Sequence, residues 1–187
     1  MTTRFRWDTA VAGAVALALV FWGHLGTSAA LPAHLFLAAV GAPLVVIDLA
    51  EHRLPNWLTL PAYPVAGALL GLASIAEDDS AAAWRALGGM VILIAFYDLV
   101  VRINPAGMGY GDVKFAGVLG LYLGWAGWDA LVVGTLAAFS TGALAGLVLL
   151  ATRRARLSSS IAFGPFMLVG AVVGIVAGGD LADWYVD

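Results

Sequence analysis

Cysteine and charged residues are what this sequence has least of. None of its 187 residues is cysteine, which excludes disulfides, thiolate metal sites and a cysteine nucleophile. Only 11% of the residues are charged, whereas a soluble domain carries about 25%. The net charge of −3 is too small, and its charges too scattered, to indicate nucleic-acid binding.

The motifs of several enzyme classes are also missing. The three histidines, His24, His34 and His52, are dispersed along the chain. There is no HExxH zinc helix, no GxSxG nucleophile elbow, and no glycine-rich loop with the spacing and lysine of a phosphate site. We therefore expect neither a metal nor another cofactor.

What the sequence has instead is long apolar runs. Hydrophobic residues make up 62% of the chain, and the mean hydropathy is +0.95. Runs of about 17 to 25 apolar residues can cross a bilayer as helices, and none shows the alternation of a membrane barrel. We predict an all-α, polytopic membrane bundle that forms one domain over residues 1–187, with a six-helix core at about 32–178 preceded by an N-terminal helix. The seven predicted spans are about 9–26, 32–50, 57–76, 83–101, 113–127, 129–151 and 161–178.

The fifth span is the shortest, so we expect it to begin below the headgroups or to be sheltered by its neighbours. The first span has a second interpretation. Arg4 and Arg6, the apolar stretch that follows and the small residues at 28–30 also resemble a signal peptide. Its removal would leave six helices, and the sequence leaves this open.

The basic residues predict the orientation, because cytoplasmic loops collect Lys and Arg. With the N-terminus in the cytoplasm and the C-terminus outside, only Arg85 of the nine basic residues falls outside. The others fall on the cytoplasmic side: Arg4, Arg6, Arg53, Arg102, Lys114, Arg153, Arg154 and Arg156.

Glycines recur four residues apart within the predicted helices. Such pairs allow helix backbones to approach closely in lipid. They favour a compact bundle, but they do not distinguish packing within the chain from homo-oligomerisation. The pairs are Gly67 and Gly71, Gly120 and Gly124, Gly142 and Gly146, and Gly170 and Gly174.

Acidic residues near a membrane are costly and are candidates for function. On the predicted topology, Asp48 ends the second span and Asp112 begins the fifth, at the same depth and on the cytoplasmic side. Asp98 is close in depth, but Arg102 follows four residues later, which favours a structural ion pair. Taken singly, Asp48 could be a helix-end acid balanced by Arg53, and Asp112 a loop acid beside Lys114. Their matched depth weakens both of these interpretations.

Two neighbouring carboxylates share a proton, since both cannot ionise cheaply. One can then act as general base on water, while the other donates a hydrogen bond to a scissile carbonyl as general acid. Gly107, Gly109 and Gly111 fit this chemistry, because glycine lets backbone approach an extended peptide.

Three ordered segments carry a resemblance. GMGYGDVKFAGVLGLYLGW (107–125) resembles the GxGD signature of the type IV prepilin peptidases, which are intramembrane aspartyl proteases. Asp48 followed by Arg53, Leu54, Pro55 and Asn56 is similar to that family's first aspartate segment, and IAFGPFMLVGA (161–171) is similar to its C-terminal FGPF segment. Together they extend from about residue 44 to 178, in the family's order.

The resemblance implies an endopeptidase that removes the leader peptide from type IV prepilins or pseudopilins at the cytoplasmic face of the inner membrane. It implies Asp48 and Asp112 as the catalytic pair. The segments it marks as supporting the site supply Gly109, Gly111, Lys114, Arg53, Pro55, Asn56, Gly164 and Pro165, with Phe163 and Phe166 packing nearby. The zinc-binding cysteine pairs that the family associates with N-methylation are missing, so we expect a peptidase without methyltransferase activity, similar to the short enzymes of tight-adherence and Flp-type pilus systems.

Two other classes remain to be weighed. A small transporter or channel would need carboxylates deeper in the bilayer and on both sides, whereas the acids here cluster at one face. A non-catalytic scaffold would explain the glycines but not the paired aspartates.

Overall fold

A computed structural model provides the structure of the chain and describes residues 7–105, 107–152 and 162–186. Arg4, Arg6, Arg153, Arg154 and Arg156, on which part of the predicted orientation depends, lie outside these residues. The described ranges form seven α-helices and no strand. The helices are α1 (Trp7–Leu25), α2 (Leu31–Glu51), α3 (Asn56–Ala76), α4 (Ser80–Ile103), α5 (Tyr110–Ala126), α6 (Trp128–Ala151) and α7 (Gly164–Val186).

The predicted membrane bundle is confirmed. Six of the helices in the described ranges are long and apolar enough to cross a membrane. The remaining one, α5, has 17 residues, which is short for a helix that spans a bilayer alone. Short connections join α1 to α2, α2 to α3, α3 to α4 and α5 to α6, so these helices run up and down through the bundle. The chain is a multi-pass membrane protein.

The short helix α5 lies at the centre of the bundle. Every residue from Asp112 to Gly124 is buried except Lys114, which is half-buried. The helix packs against α3, α4, α6 and α7. The expectation that its neighbours shelter it is confirmed, and this explains why α5 is apolar on all sides.

Glycines set the closest contacts between helices. A Cβ atom on Gly120 would lie 2.8 Å from the carbonyl carbon of Gly89, so α4 and α5 pack backbone against backbone. The same holds for α6 and α7, where a Cβ atom on Gly174 would lie 2.9 Å from the Cα of Gly134. Close backbone approach of this kind gives dispersion contacts that hold helices together in lipid.

The other predicted glycine pairs behave differently. A Cβ atom on Gly67 or Gly71 would meet nothing within 4 Å, so this pair makes no close contact with the described chain. Gly142 lies against the ring of Phe163 rather than against another helix backbone. The pairs at Gly120 and Gly124 and at Gly170 and Gly174 therefore support the prediction of a compact bundle.

Two prolines named by the resemblance begin helices. Pro55 precedes α3 and its carbonyl accepts hydrogen bonds from the backbone N–H groups of Leu58 and Thr59, both at 3.1 Å. Pro165 is the second residue of α7, where the missing N–H would have no helical partner in any case. Both residues act by starting the helices that flank the site.

Candidate active site

Asp48 lies in the last turn of α2, where the helix is stopped by a left-handed residue. His52 has φ of 50°, and its N–H donates to the carbonyl of Asp48 at 2.8 Å. The side chain of Asp48 is only 4% exposed. Its Oδ2 accepts a hydrogen bond of 2.8 Å from the backbone N–H of Gly164, 116 residues further along the chain.

Gly164 is the first residue of α7, and its lack of a side chain allows this bond. A Cβ atom there would lie 2.8 Å from Oδ2 of Asp48, closer than real contacts allow. The start of a helix is a favourable place for a carboxylate, because its free N–H groups carry partial positive charge. The FGPF segment therefore holds Asp48 directly.

Asp112 is the third residue of α5 and is 8% exposed. Its Oδ2 accepts a hydrogen bond of 3.0 Å from the backbone N–H of Gly109, which precedes the helix. This is the side-chain half of a capping box. The other oxygen, Oδ1, is buried and has no hydrogen-bond partner among the described residues.

The two aspartates line the same cavity, which has a volume of about 400 Å³. Residues from three separate segments surround it: the turn after α2, the glycine loop with the start of α5, and the segment before α7. Of the residues that the sequence marks as supporting the site, the cavity is lined by Arg53, Asn56, Gly109, Gly111, Lys114 and Phe163. Pro55, Gly164 and Pro165 do not line it.

The two aspartate-bearing segments touch each other at Gly111. A Cβ atom on this residue would lie 3.2 Å from the Cβ of Leu54 and 3.3 Å from its backbone nitrogen. The start of α5 therefore rests against the turn that follows Asp48. A larger residue at position 111 would force the two segments apart.

Neither aspartate has a basic partner within the described ranges. Arg53 pairs with Glu51 at 2.5 Å rather than with Asp48. Lys114 donates from Nζ to Oδ1 of Asn56 at 2.9 Å. The interpretations that treat Asp48 and Asp112 as acids balanced by Arg53 and Lys114 are therefore not supported.

The third acid of the region behaves as predicted. Asp98 accepts a hydrogen bond of 2.6 Å from Nε of Arg102, one helical turn away, and this ion pair lies on the exposed side of α4. The predicted ion pair of Asp98 with Arg102 is confirmed. Asp98 does not line the cavity.

Comparison with known proteins agrees with the geometry. The type IV leader peptidase family matches residues 35–148, a stretch that includes Asp48 and Asp112. The chain belongs to this family. No solved structure gives a significant match.

Individual relatives of the leader peptidase family extend the match towards both ends of the chain. The chain is 33% identical over 172 residues to the prepilin leader peptidase/N-methyltransferase of Aeromonas hydrophila. The matched stretch covers 91% of this chain and 57% of the relative. It is 32% identical over 170 residues to the protein of the same name from Stutzerimonas stutzeri, covering 89% of this chain and 56% of the relative. The chain thus spans somewhat more than half the length of these curated relatives.

Some residues of the candidate site were not found from the sequence. Tyr97 is 2% exposed and belongs to an aromatic group behind the cavity, with ring centroids 5.6 Å from Phe139 and 6.3 Å from Phe163. Tyr63 donates from its hydroxyl to the backbone carbonyl of Lys114 at 2.6 Å. Each is an ordinary aromatic residue within an apolar run, so no sequence signal marks it.

The dispersed histidines do not form a metal site in the described ranges. His34 is fully buried near the end of the bundle away from the cavity. Its Nδ1 lies 2.9 Å from the carbonyl of Ala30, and its ring packs edge-on against Phe21 and Tyr122. It is a core residue in this arrangement.

Proposed function

We propose that this chain is an aspartic endopeptidase that removes the leader peptide from type IV pilin-like precursors. The observation that carries the proposal is the pair of buried carboxylates, Asp48 and Asp112, which line one cavity without an ion-pair partner among the described residues. Buried, unpaired acids are costly and concentrate at functional sites. The names of the relatives from Aeromonas hydrophila and Stutzerimonas stutzeri supply the substrate class.

In this mechanism the two carboxylates share one proton and divide two roles. The ionised carboxylate takes a proton from water, which attacks the carbonyl carbon of the scissile peptide bond. The protonated carboxyl donates a hydrogen bond to the carbonyl oxygen as charge develops there. When the tetrahedral intermediate collapses, the proton passes to the leaving amine and the C–N bond breaks.

The backbone hydrogen bonds orient the carboxylates for these roles. The N–H of Gly164 holds one oxygen of Asp48, and the N–H of Gly109 holds one oxygen of Asp112. Because Oδ1 of Asp112 has no partner among the described residues, it is free to bind water or the substrate carbonyl. Two oriented carboxyl groups are the arrangement that general acid–base hydrolysis requires.

The glycine loop supports access of the substrate. A peptide bond within a helix is shielded by its own hydrogen bonds, so a peptidase in a membrane must receive its substrate as extended backbone. Gly107, Gly109 and Gly111 all line the cavity. A Cβ atom on Gly109 would meet only Asp112 and Gly111, at 3.8 and 3.9 Å, so this residue leaves room for a second backbone beside Asp112.

We further propose that the cavity opens to the cytoplasm, with the protein in the inner membrane, its N-terminus inside and its C-terminus outside. The support is the distribution of basic residues. Arg53, in the turn after α2, and Arg102 and Lys114, near helix ends, all lie at the cavity end of the bundle. Arg85 bonds to Asp79 at the opposite end, at 3.2 Å.

We do not extend the relatives' N-methyltransferase activity to this chain. Its 187 residues contain no cysteine, so they lack the cysteine pairs that the resemblance associates with methylation. Cleavage with a methyl donor present should therefore yield a mature pilin of unmodified mass. A product heavier by one methyl group, made by the purified chain alone, would contradict this.

The test of the proposed function is cleavage of a prepilin by the purified chain and three variants at matched protein levels. Asp48→Asn and Asp112→Asn should each lower the rate by about 100-fold or more, the scale of losing a general acid or base. Asn keeps the shape of the side chain but cannot exchange the proton. The double variant should lose little more, because the two groups act as a unit.

Asp98→Asn is the matched control, since it alters an acid of the same region that is paired with Arg102 and lies outside the cavity. It should cleave at close to the wild-type rate. Substantial cleavage by either Asp48→Asn or Asp112→Asn would refute the proposed pair.

A further inference from the structure

Two hydrogen bonds from α3 hold Lys114, two residues after Asp112. The backbone carbonyl of Lys114 accepts from the hydroxyl of Tyr63 at 2.6 Å, and Nζ of Lys114 donates to Oδ1 of Asn56 at 2.9 Å. Tyr63 and Asn56 are seven residues apart on α3, or about two turns, so they lie on the same face. One residue of α5 is thus held at its backbone and at its side-chain end.

Besides these two bonds, the first turn of α5 is fixed in the described chain by the capping bond between Gly109 and Asp112 and by the contact of Gly111 with Leu54. It follows a loop with glycines at 107, 109 and 111, and its N-cap, Gly109, has no side chain to bond the free N–H groups. Helix ends fray when their terminal groups are unsupported. Asp112 lies within this turn, so any movement of the turn moves its carboxylate.

The chain makes room for the Tyr63 hydroxyl at the surface of α5. A Cβ atom on Gly117 would collide with the hydroxyl oxygen of Tyr63 and would lie 2.7 Å from a side-chain carbon of Ile94. Only glycine at 117 leaves space for the phenol to reach the carbonyl of Lys114. A carbonyl oxygen has two lone pairs, so the bond does not require α5 to open.

Both partners of Lys114 also connect back to Asp48. Asn56 begins α3 immediately after the turn that ends α2, and Leu54 of this turn contacts Gly111. The start of α3 is therefore fixed relative to Asp48, and Tyr63 and Asn56 transfer that position to α5. A catalytic pair must be held within about 0.5 Å of its working geometry.

We propose that Tyr63 is a positioning residue, which sets the place of Asp112 relative to Asp48 through the backbone of Lys114. This role rests on the proposed function, although it can also be measured without it. Tyr63 acts through Lys114 and does not line the cavity. Asn56 supplies the second hydrogen bond that holds Lys114.

The test compares Tyr63→Phe with a matched control, Tyr122→Phe, in the full-length purified chain. The hydroxyl of Tyr122 donates to the backbone carbonyl of Ala33 at 2.9 Å, at the other end of α5. Both variants therefore remove one tyrosine-to-carbonyl hydrogen bond that involves the same helix. Only the bond of Tyr63 lies beside the aspartates.

Tyr63→Phe should lower kcat for prepilin cleavage about tenfold or more, since misplacement of a catalytic group by about 1 Å can cost 100-fold. KM should stay within about twofold, and the pH profile of kcat should shift, because proton sharing between carboxylates depends on their separation. Tyr122→Phe should keep the wild-type kcat and pH profile. Asn56→Ala, which removes the other contact, should change kcat in the same direction as Tyr63→Phe.

A second measurement does not depend on cleavage. Carboxyl carbon NMR of aspartate-labelled protein reports the titration of Asp112, whose signal is assigned by its loss in Asp112→Asn. Tyr63→Phe should move that titration and Tyr122→Phe should not. The titratable or basic groups around Asp112 that could contribute are Asp48, His52, Arg53, Tyr97 and Lys114, and they are unchanged in both variants.

The outcomes separate the two proposals. Failure of the wild-type chain to cleave prepilin would refute the proposed function, while the NMR titration would still decide the role of Tyr63. Positioning by Tyr63 is refuted if Tyr63→Phe keeps both the wild-type kcat and the wild-type titration of Asp112. It is refuted equally if Tyr122→Phe changes them as much, because the effect would then be a general loss of stability.

Discussion

Among single residues, Asp48 and Asp112 differ in their partners from the acids of the described chain that form ion pairs. Glu51, Asp79 and Asp98 each bond to an arginine. Asp48 and Asp112 are instead held by backbone N–H groups of glycines. A backbone donor orients a carboxylate without adding a mobile charge, so the carboxyl group remains able to exchange a proton.

The contact of Gly164 with Asp48 leads to a prediction about a single methyl group. Gly164→Ala would place a Cβ atom 2.8 Å from Oδ2 of Asp48, so the carboxylate must shift. We expect prepilin cleavage to fall about tenfold or more, while the thermal midpoint of the protein is nearly unchanged, because alanine suits a helix better than glycine. A cleavage assay together with thermal denaturation measures both effects.

The control is Gly23→Ala in α1, where a new Cβ atom meets nothing within 4 Å. It should cleave prepilin at the wild-type rate. Equal activity of the two alanine variants would show that Gly164 does not control the position of Asp48.

At the scale of helices, spacing in the sequence indicates which glycines can pack but not which ones do. Gly120 contacts the backbone of α4, whereas Gly67 has the same four-residue spacing and meets nothing in the described chain. The difference arises from which face of each helix turns towards a neighbour. That rotation is set by the assembled bundle, so it could not be predicted from one helix alone.

The two glycines give a matched pair of variants. Gly120→Leu would drive a side chain into the backbone of Gly89 and Met90, which cannot move away cheaply, and should destabilise the protein by about 1–3 kcal/mol or more. Gly67→Leu should leave the stability nearly unchanged, since its surroundings are open. Thermal denaturation in detergent, followed by circular dichroism, compares them. Equal loss of stability in both variants would mean that α3 packs through Gly67 in the purified protein.

At the scale of the whole molecule, the sequence predicted the bundle, its seven helices and the pairing of Asp98 with Arg102. These depend on hydropathy and on spacing within one helix, which are local properties. The bond between Gly164 and Asp48, and that between Tyr63 and Lys114, join residues 116 and 51 positions apart. Such contacts depend on how distant helices are placed. The resemblance alone predicted a role for Gly164 in the site, and no feature of the sequence predicted one for Tyr63. That the two aspartates lie at the same end of the bundle was predicted through topology, because alternate helix ends lie on one side.

That topology can be tested because the chain has no cysteine, so each introduced thiol is the only one present. Ser80 is exposed at the start of α4, and Thr152 is exposed just after α6. These positions lie at opposite ends of the bundle. Three helices, α4, α5 and α6, cross it between Ser80 and Thr152, so Thr152 lies at the cavity end.

Ser80→Cys should react with a membrane-impermeant thiol reagent applied from outside. Loops rich in Arg and Lys stay in the cytoplasm, whereas the turn at Ser80 is acidic, with Glu77, Asp78 and Asp79. Thr152→Cys should react only after the membrane is permeabilised. The reverse pattern of labelling would place the cavity outside the cytoplasm, and a leader peptide that stays on the cytoplasmic side could not then reach Asp48 and Asp112.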